Sequence, residues 1–214
     1  MKQPGISVVV PVYNEEKNLP ALHNKIVDIL KKISKDYEII FIDDGSTDSS
    51  FKILESLQKK SRNTKVIKFR SNFGQTAALN VGFKHAKSQV IVTMDADLQN
   101  DPADIPKLLN KLREGYDVVS GWRYKRKDSV SKILFSKLSN ILRRLIVKEV
   151  IHDSGCSLKA YKKECFNDLE LYGEMHRFVP TLLRWKGFRI GEVKVTHLPR
   201  RFGKSKYNYK RIFS

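Results

Sequence analysis

The stretch "VIVTMDADLQNDP", Val90–Pro102, decides which fold and which chemistry the sequence predicts. Its first three residues are an apolar run of the kind that forms a buried β-strand. Alternate residues of a strand share a face, so a continued extension would direct three polar side chains the same way: Asp95, Asp97 and Gln99. Carboxylates so placed repel each other unless a cation or a ring of donors lies between them. The alternative is a solvated turn in which Asp101 and Pro102 begin a helix.

Similar apolar runs occur on both sides of this stretch and alternate with segments of helical period. The runs are "ISVVVPV" from Ile6, "YEIIFID" from Tyr37, "KVIKF" from Lys65, "QVIVTM" from Gln89 and "DVVSG" from Asp117, with "RIGEVKV" from Arg189 as a further candidate. This alternation is typical of α/β proteins, in which helices cover both faces of a mostly parallel sheet. We therefore predict a Rossmann-like α/β fold.

Polar clusters follow three of the predicted strands, at the edge of the sheet where α/β proteins bind ligands. They are "YNEE" after the first strand, "DDGS" after the second and "DADLQ" after the fourth. No GxGxxG follows the first strand and no GxxxxGK[ST] occurs. The sequence therefore lacks the motifs that would indicate a dinucleotide-binding enzyme or a P-loop NTPase.

The net charge of +18 is concentrated in the last part of the chain. Residues 122–148 contain nine Lys or Arg against one acid, and residues 184–211 contain ten against one. Such a concentration indicates a polyanionic partner, which could be a nucleic acid, an anionic membrane surface or a phosphorylated substrate. A merely solvated basic face is the alternative.

The remaining composition predicts one domain over residues 1–214. Residues 1–121 contain the alternating apolar and helical segments, and residues 122–214 form a specialised basic third, with no low-complexity linker or repeat between them. Two cysteines, Cys156 and Cys165, and an N-terminus unlike a signal peptide indicate a reducing setting without structural disulfides. No ligand spacing suggests zinc, and no apolar run approaches the ~18 residues of a membrane span.

Seven motifs in order resemble the family 2 glycosyltransferases of GT-A fold, and more narrowly the polyprenyl-phosphate glycosyltransferases, which include dolichol-phosphate mannosyltransferase. They are "VVVPVYNEEKNL" from Val8, "IDDGSTDSS" from Ile42, "DADLQNDP" from Asp95, "GWR" from Gly121, "DSGCSLKAY" from Asp153, "HRFVPTLLRWKG" from His176 and "THLPRRFGKSKYN" from Thr196. The resemblance spans nearly the whole chain, and the joint pattern is far more specific than any single motif. It implies a single GT-A domain in which residues 1–121 form the nucleotide-sugar-binding half and residues 122–214 form the acceptor-binding, basic third.

The resemblance implies a Mg²⁺ or Mn²⁺ site that offsets the charge of a nucleoside diphosphate as it leaves. Its ligands would be Asp95, Asp97 and Gln99, with Asp97 and Gln99 as the likeliest direct contacts and Asp95 nearer the ribose. Asp97 would thereby also be a catalytic residue. The other donor-binding residues implied are Pro11, Tyr13, Asn14, Glu15, Asp44, Gln75, Arg200 and Lys206. The alternative for "DDGS" is an ordinary turn, with Ser46 or Asp48 capping the next helix.

The resemblance also implies an acceptor-phosphate site formed by Arg123, Lys132 and Ser136. Asp153 is the candidate catalytic base, and His176 is a weaker one. Since a phosphate monoester has a second pKa near 6, the acceptor is already largely dianionic at neutral pH. Asp153 would then position the acceptor or its cationic partners more than it removes a proton.

The basic segment Lys132–Lys148 has leucine and isoleucine on one helical face, which is typical of a helix lying in a membrane interface. An amphipathic helix packed on the sheet is the alternative. Family members usually carry C-terminal transmembrane helices, whereas this sequence ends at "YKRIFS", and we expect such helices in the full-length protein.

The function predicted is a metal-dependent, inverting transfer of sugar from a UDP- or GDP-linked donor to a polyprenyl phosphate at the cytoplasmic face of a membrane. One rival is a related transferase with a saccharide acceptor. Another is a basic nucleic-acid-binding protein that stacks bases on Trp122, Tyr124, Tyr207 and Tyr209. We expect no nucleic-acid partner, because the "DDGS" and "DADLQ" carboxylates would repel a phosphate backbone. The sugar, the donor base, the physiological metal, the length of the lipid and the oligomeric state are not fixed by the sequence.

Overall fold

A computed structural model describes residues 5–124 and 151–202 of the chain. In chain order, its strands and longer helices are β1 (Ile6–Val12), α1 (Leu19–Ile33), β2 (Tyr37–Asp43), α2 (Ser50–Lys60), β3 (Thr64–Lys68), α3 (Gln75–His85), β4 (Val90–Thr93), α4 (Ile105–Arg113), β5 (Val118–Trp122), β6 (Lys159–Lys162), α5 (Val179–Trp185) and β7 (Ile190–Lys194). Short 3-10 helices span Pro102–Asp104, Lys163–Phe166 and Met175–Arg177.

The strands form one mostly parallel sheet in the order β3-β2-β1-β4-β6-β5-β7. β1 lies between β2 and β4, so Val8 is in register with Ile39 on one side and with Val92 on the other. β6 runs antiparallel to both of its neighbours, β4 and β5. The sheet therefore brings the carboxyl ends of β1, β2 and β4 together at one edge.

Side chains on the two faces of the sheet build two separate apolar cores, as the predicted α/β fold requires. Along β1, Val8 and Val10 pack with α1 and α4, whereas Val9 packs on the opposite face with α3 and α5. The alternation follows from the two-residue period of a strand buried on both faces. The predicted α/β fold with helices on both faces is confirmed.

The antiparallel strand β6 was not predicted. Its sequence, "KAYK", has a lysine at each end and only two residues between them, so it lacks the apolar run that identified the other strands. It is nevertheless central, because Ala160 lies opposite Val92 of β4 and Val119 of β5. Lys159 is buried in this strand, which places a charged group below the carboxyl edge of the sheet.

Several predicted features lie outside the described residues. They are the basic segment Lys132–Lys148, the acceptor residues Lys132 and Ser136, and the donor residue Lys206. Within residues 5–124 and 151–202, no helix has both the length and the apolar character needed to cross a membrane. Cys156 and Cys165 are buried as free thiols.

Candidate functional site

A cavity of about 230 Å³ opens at the carboxyl edge of β1, β2 and β4. It is lined by Pro11, Val12, Tyr13, Glu15, Asp44, Asn72, Gly74, Gln75, Asp95, Ala96, Asp97 and Arg200. The residues come from five chain segments that are far apart in sequence, and the first four meet because parallel strands end at the same edge. Most of the predicted donor-binding residues thus face one cavity.

The segment Asp95–Gln99 is a turn, so the expectation that its polar side chains share a strand face is wrong. β4 ends at Thr93, and Leu98 has a φ of +61°, a left-handed backbone conformation that residues other than glycine rarely adopt. The Asp97 carboxylate accepts a hydrogen bond from the backbone N–H of Gln99 at 3.0 Å and so closes the turn. This turn, not an extended strand, brings Asp97 to the cavity and Gln99 next to Arg200.

The end of this stretch follows the alternative interpretation. The Asp101 side chain accepts a hydrogen bond from the backbone N–H of Ala103 at 3.1 Å and caps the 3-10 helix that begins at Pro102. That helix leads directly into α4. The stretch therefore combines a polar turn facing the cavity with an ordinary helix start.

Asp95 is held in the cavity by hydrogen bonds with two neutral side chains. Gln75 Nε2 donates to Asp95 Oδ1 at 2.7 Å, and the backbone N–H of Asp95 donates to Ser157 Oγ at 3.2 Å. Burial, reinforced by the negative charge of Asp97, raises the pKa of Asp95 to about 6. Lys159 and Arg123 oppose this rise, so both cations act on the same carboxyl group. Ionised Asp95 is therefore a strained group that would gain from a nearby cation.

Arg200 supplies a cation to this acidic cluster. Its Nη2 lies 2.6 Å from Asp97 Oδ2 and 3.3 Å from Gln99 Oε1, and its Nη1 lies 4.0 Å from Glu15 Oε1. The segment before it is pinned, because the backbone N–H of Leu198 donates to the Gln99 carbonyl at 2.9 Å. Carboxylate and amide oxygens thus converge on one positively charged group.

The same oxygens suit a divalent ion. Mg²⁺ and Mn²⁺ prefer hard oxygen ligands and usually keep substrate phosphates and waters as well, so a few protein groups suffice. In the described part of the chain, no group of three or more His, Cys, Asp or Glu side chains is arranged to hold a metal. The predicted set of Asp95, Asp97 and Gln99 contains two carboxylates and an amide, and its role stays a prediction.

Asp44 organises the opposite wall of the cavity. Its carboxylate accepts hydrogen bonds from Asn72 Nδ2 at 3.0 Å, from the backbone N–H of Phe73 at 2.7 Å and from that of Gly74 at 2.9 Å. Gly74 has a φ of +93°, which favours glycine at this turn before α3. Asp44 therefore lines the cavity and also fixes the loop that delivers Gln75.

Asn14 is not among the residues that line the cavity, and its predicted role in donor binding stays a prediction. Its Oδ1 accepts hydrogen bonds from the backbone N–H groups of Thr47 at 2.7 Å and Asp48 at 3.4 Å. Asp48 in turn accepts from the backbone N–H of Ser50 at 2.9 Å, at the start of α2. The "YNEE" and "DDGS" motifs thus brace each other, and part of "DDGS" is the ordinary turn that was the alternative.

A second charged pair adjoins the first cluster. Arg123 donates from Nε to Asp153 Oδ2 at 2.7 Å and from Nη2 to Oδ1 at 2.8 Å. Asp153 is 5% exposed. Glu192 of β7 supports this pair, because its Oε1 accepts a hydrogen bond from the backbone N–H of Asp153 at 3.2 Å. The candidate base and the candidate phosphate ligand are therefore one ion pair.

Lys159 lies between the two clusters and was missed by the sequence analysis. Its Nζ donates to the Ser154 carbonyl at 3.1 Å and to the Cys156 carbonyl, and so closes the turn that follows Asp153. Burial lowers the pKa of Lys159, while the negative charges of Asp153 and Asp95 oppose that effect. The available signal was a lysine inside an otherwise apolar part of the "DSGCSLKAY" motif.

The two histidines of the C-terminal motifs both contact the site. His176 Nδ1 lies 2.6 Å from Thr76 Oγ1, at the first turn of α3. His197 Nε2 lies 3.4 Å from Gln99 Nε2. His176 thus contacts the helix that carries Gln75, and its role as a base stays a prediction.

Comparison with known proteins places these residues in a family context. Residues 7–170 match the family model described as Glycosyl transferase family 2. A curated relative from Salmonella choleraesuis (strain SC-B67), undecaprenyl-phosphate 4-deoxy-4-formamido-L-arabinose transferase, is 38% identical over 210 residues. That match covers 98% of this chain and 64% of the relative, so the chain spans just under two thirds of the relative's length.

Solved structures share the fold at lower sequence identity. A mannosyltransferase from Pyrobaculum calidifontis in complex with GDP-Man and Mn²⁺ has a TM-score of 0.69 at 20% identity, and covers 91% of this chain and 56% of its own. Glucosyl-3-phosphoglycerate synthase from Mycobacterium tuberculosis, in complex with Mn²⁺, UDP and phosphoglyceric acid, has a TM-score of 0.72 at 18% identity, with coverages of 94% and 72%. The two structures therefore support the α/β architecture described above.

Proposed function

Because the chain belongs to glycosyl transferase family 2, it is a glycosyltransferase, and we propose that it transfers a sugar from a UDP- or GDP-linked donor to a polyprenyl phosphate. The observation that carries the proposal is that Arg200, Asp97 and Glu15 meet in one cavity, which Asp95 also lines. Gln99 contacts the same arginine. A nucleoside diphosphate is an anion that needs both a cation and hydrogen-bond donors. The cavity offers both.

A divalent ion fits the donor set of this cavity. Asp97 and Gln99, with Asp95 beside them, would hold Mg²⁺ or Mn²⁺, which would offset the charge that develops on the departing nucleoside diphosphate. Two structures of the same fold contain Mn²⁺ with a nucleotide or a nucleotide sugar, which supports the proposal of a divalent metal.

The donor's nucleoside would lie between the first strand's end and the loop before α3. Pro11, Tyr13 and Glu15 form one side of that space, and Asp44 holds the loop on the other. Gln75, anchored to Asp95 at 2.7 Å, would be within the polar lining near the sugar. These residues bind and orient the donor.

The acceptor phosphate would be bound by Arg123. The bidentate contact with Asp153 fixes the guanidinium plane, so its remaining N–H groups have a defined direction. Lys132 and Ser136 are proposed as further phosphate ligands. The curated relative is named as an undecaprenyl-phosphate transferase, which favours a lipid phosphate over a saccharide.

The reaction proposed is a direct displacement with inversion. A phosphate oxygen of the acceptor forms a bond to the anomeric carbon, and the bond from that carbon to the donor diphosphate breaks. The acceptor phosphate is already largely dianionic at neutral pH, so no base has to remove its proton. A lipid acceptor places the enzyme at a membrane surface, and a nucleotide-sugar donor places the reaction on the cytoplasmic side.

Transfer from radiolabelled UDP- and GDP-sugars to undecaprenyl phosphate in detergent tests this proposal. The wild type would be assayed with Mn²⁺ and with EDTA, beside Asp97→Asn and a control, Glu55→Gln, which removes an exposed carboxylate from α2. We expect labelled lipid that is lost with EDTA and falls at least about a hundredfold in Asp97→Asn, while Glu55→Gln keeps wild-type activity.

The assay also separates the alternatives. Labelled saccharide but no labelled lipid would replace the acceptor in the proposal and keep the reaction class. Lipid product that persists in EDTA and in Asp97→Asn would contradict the metal site. A salt-dependent gel shift on random DNA, without transfer from any donor, would favour the nucleic-acid-binding alternative.

A further inference from the structure

The guanidinium of Arg200 contacts two of the three proposed metal ligands. It lies 2.6 Å from Asp97 Oδ2 and 3.3 Å from Gln99 Oε1, the two groups expected to contact the ion directly. Its other terminal nitrogen lies 4.0 Å from Glu15 Oε1. The Arg200 side chain is 25% exposed, against 11% for that of Asp97, so the contact is largely shielded from water.

Through this contact Arg200 supplies the positive charge that a divalent ion would otherwise bring to Asp97 and Gln99. Asp95 and Asp97 both line the cavity, and two carboxylates so close together repel each other when both are ionised. A guanidinium that touches Asp97 and Gln99 relieves the same excess of negative charge. Since the two cations use the same oxygens, the ion and Arg200 in this position exclude each other.

We propose that Arg200 is an internal placeholder cation that exchanges between the metal ligands and the nucleoside diphosphate. When a divalent ion binds, the guanidinium loses Asp97 and Gln99, and that loss opposes binding of the ion alone. A bound diphosphate offers Arg200 a new bidentate partner and so recovers the lost interaction. Metal and nucleotide would then favour each other's binding, and this inference rests on the proposed function.

The surrounding backbone permits the exchange without a large rearrangement. Leu198 is tied to the Gln99 carbonyl at 2.9 Å, and His197 forms an isolated bridge with Asn100. Arg200 follows this anchor by two residues, so its side chain stays beside the turn whichever partner it contacts. A tether of this kind keeps the effective concentration of the guanidinium high at both positions.

Two binding measurements on the 214-residue chain test the exchange. Electron paramagnetic resonance of free Mn²⁺ gives the affinity for the ion alone, and calorimetry at saturating Mn²⁺ gives the affinity for UDP and for GDP. The variants are Arg200→Gln, Arg200→Lys and Asp97→Asn. Arg201→Gln is the matched control, because it removes the same charge from the exposed neighbouring residue.

We expect opposite changes in Arg200→Gln, with Mn²⁺ alone binding on the order of fivefold more tightly and the nucleotide binding more weakly. Arg200→Lys should lie between the wild type and the glutamine variant, since lysine keeps the charge and loses the bidentate geometry. A purely structural role would weaken both affinities together. Arg201→Gln should leave the affinity for Mn²⁺ alone near the wild-type value.

Three results would overturn the inference. Equal tightening of Mn²⁺ in Arg200→Gln and Arg201→Gln would mean a general charge effect. Unchanged Mn²⁺ affinity in Arg200→Gln, with binding lost in Asp97→Asn, would reject the placeholder and leave the proposed metal site intact. Absence of Mn²⁺ binding in the wild type and in both Arg200 variants, with and without nucleotide, would reject the metal-dependent function itself.

Discussion

The carboxylate of Asp153 and the guanidinium of Arg123 form a bidentate pair, with contacts of 2.7 Å and 2.8 Å. The backbone N–H of Arg123 also donates to Asp153 Oδ2 at 3.2 Å. Both carboxylate oxygens are therefore engaged with one residue, an arrangement that orients a cation better than it accepts a proton. The pair favours a positioning role for Asp153 over its role as a base.

This geometry predicts how Asp153→Asn and Arg123→Lys would change the kinetics. Each should raise the KM for polyprenyl phosphate about tenfold or more, because each loses the bidentate contact that fixes the guanidinium. The double variant should be little worse than the more damaging single one, since both substitutions remove one shared interaction. Steady-state kinetics with varied acceptor, at pH 6 to 9, measures these effects.

The pH profile decides between the two roles. A positioning residue leaves the profile of Asp153→Asn like that of the wild type. Loss of kcat with an unchanged KM, together with disappearance of the acidic limb, would instead identify Asp153 as the base.

Much of the fold was predictable because buried strands are recognisable in the sequence as apolar runs. The six predicted runs correspond to β1, β2, β3, β4, β5 and β7, whose inward residues have to be apolar on both faces of the sheet. β6 could not be found in this way, since Lys159 and Lys162 interrupt its apolar character. Lys159 can be buried because its ammonium group donates to the carbonyl groups of Ser154 and Cys156, which come together only in the folded chain.

The sequence predicted which residues would lie near one another at the site. It did not predict which of their side chains would contact each other. Strand ends at one edge of the sheet explain why Asp44, Asp95 and Asp97 meet. The contact between Arg200 and Asp97 joins residues 103 positions apart, and no local pattern encodes it. Asn14 has a contact that its motif did not predict, because its side chain braces a neighbouring loop, and its role in donor binding stays a prediction.

Lys159 provides a test of stability within the same region. Replacing it with methionine leaves the carbonyl groups of Ser154 and Cys156 without their buried donor, and each such loss costs about 1–3 kcal/mol. We expect Lys159→Met to lower the free energy of unfolding by about 2–4 kcal/mol in urea titrations. Lys163→Met is the control, because Lys163 is exposed and should change stability by less than about 0.5 kcal/mol. Equal effects of the two substitutions would show that the carbonyl contacts of Lys159 contribute nothing.

Gly82 tests the packing that positions Gln75. A Cβ atom at residue 82 would lie 2.3 Å from Val9 Cγ1 and 3.0 Å from Ile42 Cδ1, so alanine would push α3 away from the sheet. Overpacking costs about 1–3 kcal/mol, and the better helix propensity of alanine returns about 1 kcal/mol. We expect Gly82→Ala to lose about 1–2 kcal/mol of stability and also to reduce transfer, because α3 begins with the residue that holds Asp95.

A substitution at an exposed position of the same helix provides the comparison. Lys84 is exposed, and its ion pair with Glu170 is a solvent-exposed surface contact that contributes little to stability. Lys84→Ala should therefore leave transfer unchanged. If Gly82→Ala reduced stability with full activity, the position of Gln75 would not depend on the close packing of α3.

Asp95→Asn should stabilise the metal-free protein at neutral pH while it abolishes transfer. Burial and the charge of Asp97 raise the pKa of Asp95 from 3.8 to about 6, so the folded state binds the proton more tightly than the unfolded state. The stabilisation that comes from protonating Asp95 in the folded state is present in full below about pH 3.8 and is lost as the pH rises through about 6. Above that pH the wild type carries the cost of an ionised carboxylate, which asparagine lacks.

Urea titrations in EDTA between pH 4 and pH 8 would measure this difference. We expect the gain in Asp95→Asn relative to the wild type to grow between pH 4 and pH 6 and to level off at about 1–3 kcal/mol. Asparagine can still accept the hydrogen bond from Gln75, so the lining of the cavity is kept. The exposed Asp168→Asn should show a small difference that does not follow this pH course. A gain that is independent of pH would mean that ionised Asp95 does not destabilise the folded protein. The cavity would then have no uncompensated negative charge for a bound cation to offset.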